Sequence, residues 1–112
     1  MSRLAILLPL AAFAAGGGIE TAGRSQARTH TIEIRGLQFH PAVLTVARGD
    51  TVVWINRDIV PHTATRSSKG PIRWDTGSLS SGASGRYIPE RAGVARYTCT
   101  FHPTMHGKLI IK

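Results

Sequence analysis

The stretch CTFHPTMHG, residues 99–107, places a thiol at Cys99, an imidazole three residues on at His102, a thioether after three more at Met105, and a second imidazole at His106. Cys99 is the only cysteine in 112 residues, and Met105 is the only methionine besides Met1. A lone cysteine forms no disulfide within its own chain. It is an inert core residue, a reactive thiol, a partner for another molecule, or a metal ligand. Thiolate and thioether with imidazole are soft ligands that suit copper, Cu(I) above all. Two histidines and a cysteine in a trigonal set, with a weak axial methionine, make a blue-copper electron-transfer site. Such a set needs a second histidine from elsewhere. His62, in IVPHTAT, follows a proline turn 37 residues before Cys99 and is the candidate.

The elements that must position these residues read as strands. TIEIR alternates through Ile32 and Ile34. AVLTVARGDTVVWIN holds two alternating runs, around Leu44 and Val46 and then Val52 and Trp54, with Gly49-Asp50 as the turn between them. HTATR continues the sheet after Pro61. VARYTC puts Ala95, Tyr97 and Cys99 on one face, and GKLIIK is a last short strand. The Ser- and Gly-rich segment from Ser67 to Gly85 reads mostly as loop, and no amphipathic helix follows residue 30. Short strands with Gly and Pro turns argue for an antiparallel sandwich or barrel. Cys99 then ends a strand on its core-facing side, and residues 100–107 form a short connection able to gather Cys99, His102 and Met105. Trp54 reads as core. His30, His40 and His106 read as ordinary surface or hydrogen-bonded histidines, and Trp74 has no assignment.

Two other chemistries fit less well. A structural zinc site on His62, Cys99, His102 and His106 would lack paired cysteines and leave Met105 without a role. A cysteine nucleophile activated by His102 would make an enzyme. Nothing marks an oxyanion hole, and a core-facing strand end is a poor place for attack. The chain is therefore not expected to be an enzyme.

The start of the chain points to export. Arg3 precedes an apolar run from Leu4 to Ala15, and small residues follow, the pattern of a secretory signal. The run is short of the roughly 20 apolar residues that span a bilayer. Residues 1–27 are expected to be signal and possible flexible leader, with cleavage after Ala14 or Ala27, and residues 28–112 the domain. Cleavage at Ala14 leaves 13 basic and 6 acidic residues, and at Ala27 leaves 12 and 5, a net +7 either way. That charge suits an acidic partner surface. The basic residues are scattered singly rather than clustered among aromatics, which argues against nucleic acid.

GDTVVWIN…PH followed by YTCTFHPTMHGKLIIK resembles the two copper-binding segments of cupredoxins, specifically the amicyanin, pseudoazurin and plastocyanin group. The spacing Cys-x2-His-x2-Met, with Pro103 after the histidine, is most similar to amicyanin. The resemblance covers about residues 30–112. It implies an all-β, eight-stranded Greek-key sandwich binding one type 1 copper, with His62, Cys99 and His102 as equatorial ligands and Met105 axial. It further implies a periplasmic, monomeric carrier with no stable membrane anchor, cycling between Cu(II) and Cu(I). A redox protein, possibly a dehydrogenase, would be donor and a cytochrome or oxidase acceptor. A copper storage or delivery module on the same ligands is the alternative. Two departures stand out. Thr63 occupies the place where relatives often carry an Asn that ties the two ligand loops together. Gly85, Pro89 and Ala95 stand where relatives carry bulky residues, so Trp74 or the Ser67–Gly85 loop must fill the space or leave the copper-free fold marginal.

Overall fold

The computed structural model describes residues 26–112, so the signal-peptide reading and the Ala14 cleavage site lie outside the described residues. Nine strands follow in order: β1 (Thr29–Arg35), β2 (Gln38–His40), β3 (Val43–Val46), β4 (Thr51–Asn56), β5 (Thr65–Arg66), β6 (Trp74–Asp75), β7 (Ser84–Tyr87), β8 (Gly93–Thr98) and β9 (His106–Ile111). There is no helix among the described residues. One sheet has the order β2-β1-β4-β7 and the other β3-β9-β8-β5-β6. The chain crosses repeatedly between them, which is why β1 and β4, and likewise β3 and β9, lie side by side in parallel. The strand count is nine against the eight expected. The surplus is slight, since β5, within HTATR, and β6, within the segment read as loop, are two-residue pieces.

Alternation sets which side chains meet between the sheets. Ile32 and Ile34 of β1, Val52 and Trp54 of β4, Ala95 and Tyr97 of β8, and Leu109 and Ile111 of β9 all point inward and are buried. The two runs around Gly49 do not pair with each other. Gly49 turns with φ 88°, a conformation open to glycine, and sends β3 and β4 into different sheets.

The space left by the small residues is filled from within the chain. Trp74 stacks on Tyr87 at 4.5 Å and on Trp54 at 5.7 Å between ring centres, and lies 5.5 Å from Tyr97. Trp54 Nε1–H donates to the Tyr97 hydroxyl at 3.1 Å across the core. At Gly85 a Cβ would come within 2.8 Å of Thr76 Cβ and 3.3 Å of Leu79 Cδ2, so the loop occupies that volume. Trp74, Thr76 and Leu79 thus take up the space beside Gly85.

Candidate metal centre

The loop after β8 is tied by its own backbone. His102 N–H donates to Cys99 O at 3.2 Å, Met105 N–H to His102 O at 2.9 Å, and Cys99 N–H to Met105 O at 3.3 Å. These bonds fold residues 99–105 back on themselves and hold His102 over Cys99. His62 arrives from the other direction. It forms an isolated bridge with Leu79, His62 N–H donating to Leu79 O at 3.1 Å and Leu79 N–H to His62 O at 2.7 Å.

Three donor atoms converge there. Cys99 Sγ lies 3.7 Å from His62 Nδ1 and 3.8 Å from His102 Nδ1, and all three fall within 4.8 Å of one another. His62 and Cys99 are 0% exposed, whereas His102 is half-buried. The sulfur accepts the Thr63 backbone N–H at 3.3 Å. A sulfur flanked by two imidazole nitrogens, with Cys99 and His62 fully buried, fits a soft metal ion and is poorly suited to a hard one. Met105 is buried at the end of the same loop. His106, the next residue, is exposed, in keeping with its reading as an ordinary histidine. His30 pairs with the buried Asp50 at 2.9 Å, and His40 bonds Arg35 O at 3.2 Å, so neither takes part.

The family that these features indicate is matched across this whole region. A model of "Copper binding proteins, plastocyanin/azurin family" matches residues 26–112. The chain belongs to this cupredoxin family. It is similar to Amicyanin-alpha of Methylorubrum extorquens, with 26% identity over the full length of both chains. It is also 30% identical to Amicyanin of Paracoccus denitrificans, over 72% of this chain and 63% of that one. Among solved structures, the Cu(I) form of a methionine-to-alanine amicyanin variant superposes with a TM-score of 0.70 at 27% identity, covering 75% of this chain and 82% of that one. The chain is thus an amicyanin-like cupredoxin with one type 1 copper as its cofactor, and the His62–Cys99–His102 cluster is the donor set consistent with it.

Three further residues shape the cupredoxin site. Thr63 ties the two ligand loops together: its Oγ1 accepts the Thr100 N–H at 2.9 Å and lies 3.2 Å from Thr100 Oγ1. Asn56, fully buried at the end of β4, donates to Val60 O at 2.8 Å and Leu79 O at 2.9 Å and accepts Asp58 N–H at 2.9 Å, which shapes the approach to His62. Asp58 Oδ2 lies 2.8 Å from His62 Nε2. With the ring proton on Nε2 donated to that carboxylate, Nδ1 keeps its lone pair for the cluster. Asp58 also accepts the N–H groups of Gly36 at 2.7 Å and Leu37 at 2.9 Å. Neither Asn56 nor Asp58 stands out in the sequence; a carboxylate four residues before the histidine is the only signal, and a weak one.

Desolvation alone would raise the Asp58 carboxyl, but the Leu37 N–H, the His62 ring and the Gly36 N–H outweigh it and hold it below its ordinary value. A carboxyl depressed in the folded state stabilises the fold above its unfolded pKa, about 3.9, and that support is lost as pH falls through the lower folded value. In the copper-free protein, protection of the Gly36 and Leu37 amides is therefore expected to persist at pH 5 and fall away below about pH 4. Hydrogen exchange followed by NMR checks this. Protection indifferent to pH down to 2 would show that Asp58 does not hold the turn.

Proposed function

We infer that the protein is a soluble blue-copper electron carrier, with His62 Nδ1, Cys99 Sγ and His102 Nδ1 as equatorial ligands and Met105 as the axial one. The observation that carries this reading is the convergence of two Nδ1 atoms on one buried sulfur at 3.7 and 3.8 Å. Bound copper supplies a one-electron Cu(II)/Cu(I) couple. The chain's own contribution is to keep its ligands still while the charge changes. The Thr63 N–H steadies the sulfur, Asp58 steadies the His62 ring, and Thr63 Oγ1 ties the 62–63 segment to the 99–105 loop. A closed, braced site of this kind supports electron transfer rather than metal delivery, which requires a labile one.

His102 is the ligand nearest solvent. Residues flanking the two histidines are apolar and exposed, notably Ile59 (91% exposed), Val60, Phe101 and Pro103. This collar is where a redox partner would dock to reach His102. Donor and acceptor are redox proteins, a dehydrogenase donor being the kind the resemblance to amicyanin implies. The export-like start of the sequence supports a periplasmic location. The protein is read as a monomeric carrier, not an enzyme.

Voltammetry of the copper-loaded protein tests the reading. A reversible one-electron wave, with copper retained through repeated cycles, is expected. Loss of the metal on reduction would favour a storage or delivery module.

The net charge of +7 on the exported domain should steer it to acidic surfaces. Electron exchange with its partner is expected to slow by about tenfold or more as ionic strength rises from about 0.01 to 0.15 M, since screening shortens the field's reach from about 30 to 8 Å. Stopped-flow mixing at several salt concentrations measures it. Rates that hold steady or rise would exclude an acidic docking surface.

A further inference from the structure

A line of hydroxyl groups runs from the metal-site loops to the edge of the five-stranded sheet. Thr100 N–H donates to Thr63 Oγ1 at 2.9 Å. Thr63 Oγ1 lies 2.9 Å from Thr65 Oγ1, and Thr65 Oγ1 lies 3.0 Å from Asp75 Oδ1. Asp75 Oδ1 also accepts the Gly77 N–H at 2.8 Å. Thr63 and Thr65 are 3% and 6% exposed, while Asp75 sits at the surface. The strand order makes this possible. Thr65 of β5 pairs with Thr98 of β8 on one side, one residue before Cys99, and with Asp75 of β6 on the other.

The line is centred on the Thr65 hydroxyl. A hydroxyl has a single proton to give, and a carboxylate only accepts. The Thr65 hydroxyl is the donor to both Thr63 Oγ1 and Asp75 Oδ1, so its single proton is shared between the two acceptors. The Thr63 oxygen in turn accepts from the Thr100 backbone. Thr63 Oγ1 is thus held between the Thr100 N–H and the Thr65 hydroxyl, and Thr65 is anchored in turn on Asp75; linked bonds of this kind polarise one another. The same Thr63 places its backbone N–H on Cys99 Sγ at 3.3 Å. The surface carboxylate therefore fixes the residue that touches the sulfur.

We propose that Thr65 and Asp75 are positioning residues for the copper centre. Through Thr63 they hold the N–H on Cys99 Sγ, and so they set the electron density on the sulfur and the reduction potential of the site. The proposal rests on the electron-carrier reading above. A hydrogen bond to a thiolate draws off its charge and favours the reduced metal, so loosening that bond lowers the potential.

Thr65→Val removes the hydroxyl at nearly constant shape and keeps a strand-forming residue. In the copper-free protein, the Thr100 amide is expected to exchange about fivefold faster or more, the loss of roughly one buried hydrogen bond. In the copper-loaded protein, the midpoint potential is expected to fall. Thr65→Ser should restore both. A second pair serves if Thr65→Val does not fold. Asp75→Asn and Asp75→Ala remove the same charge, but only the amide keeps an acceptor. Asp75→Ala should then show the lower potential and the faster Thr100 exchange of the two. Native potential and native Thr100 exchange in Thr65→Val, or identical values in the two Asp75 variants, would overturn the proposal. So would a drop in thermal stability with the potential unmoved, which marks a purely structural role. Failure of the electron-carrier reading would appear separately, as a native protein without a reversible couple.

Discussion

Replacing Cys99 by Ser is expected to remove essentially all of the colour of the copper-loaded protein. The colour of a type 1 centre comes from a thiolate bound to Cu(II) between two imidazoles, and Cys99 is the only thiol in the chain. A serine oxygen is harder and is not deprotonated as readily. Copper binding should also weaken, by more than the about 10- to 100-fold typical of losing a residue that only supports a ligand. The fold should survive, because serine is close to cysteine in size and the surrounding loop is closed by backbone bonds. Met105→Gln makes the informative contrast. An axial ligand tunes the potential without generating the colour, so that variant should stay blue and show a lower potential. Visible absorption and equilibrium copper titration of the two variants decide the matter. A Cys99→Ser protein that remains intensely blue would remove Cys99 from the ligand set.

Gly107→Ala is expected to destabilise the fold severely through a single methyl group. Gly107 of β9 faces Tyr97 of β8 in the sheet register, and a Cβ at that position would overlap the Tyr97 ring itself. Tyr97 has nowhere to retreat. It is buried, packs edge-on against Phe39 at 4.8 Å and Trp54 at 5.4 Å, and accepts the Trp54 indole N–H. Overpacking of a tight core costs about 1–3 kcal/mol and occasionally more. Here the aromatic cluster must shift as a unit, so the upper part of that range applies, against a total stability of about 5–15 kcal/mol for a domain of this size. Gly70→Ala is the control, since its nearest neighbour would be Ser68 Oγ at 3.8 Å. That change should lie within about 0.5 kcal/mol of neutral. Urea unfolding of the two variants measures both. Equal midpoints would mean that Tyr97 can relax.

The contrast between the two sites shows what was legible in the sequence. The donor set was legible because its chemistry is rare and local. A single cysteine, a histidine and a methionine in one short loop, with His62 after a proline turn, name a soft-metal site, and the structure brings His62, Cys99 and His102 together. The strands that alternate cleanly were legible for the same reason. Ala95, Tyr97 and Cys99 do share the buried face of β8 and its end. The strands β2 and β7 were not. QFH is too short to show a period, and SGRY shows no apolar alternation, because Gly85 stands two residues before Tyr87 and its side is filled by Thr76 and Leu79.

What tertiary contact decides could not be read. Gly85, Pro89 and Ala95 suggested a hollow core and a copper-free fold near its limit. Trp74, from the segment read as loop, stacks between Trp54 and Tyr87 and closes that space. A large rise in melting temperature on copper loading therefore no longer follows from a missing core. Asp58 and Asn56 gained their roles only through bonds to His62, to Leu79 and to the turn at Gly36, all set by the folded chain. The tie that the Thr63 hydroxyl makes to Thr100 likewise appears only in the folded chain.

The central claim is that one sulfur and two imidazoles hold one redox-active copper. Titration of the copper-free protein with Cu(II), followed by visible absorption, tests it most directly. An intense blue band that grows linearly and saturates at about one equivalent is the predicted result, because a type 1 site offers one His2Cys set. A pale Cu(II) complex without the thiolate band, or saturation at two or more equivalents, would contradict it.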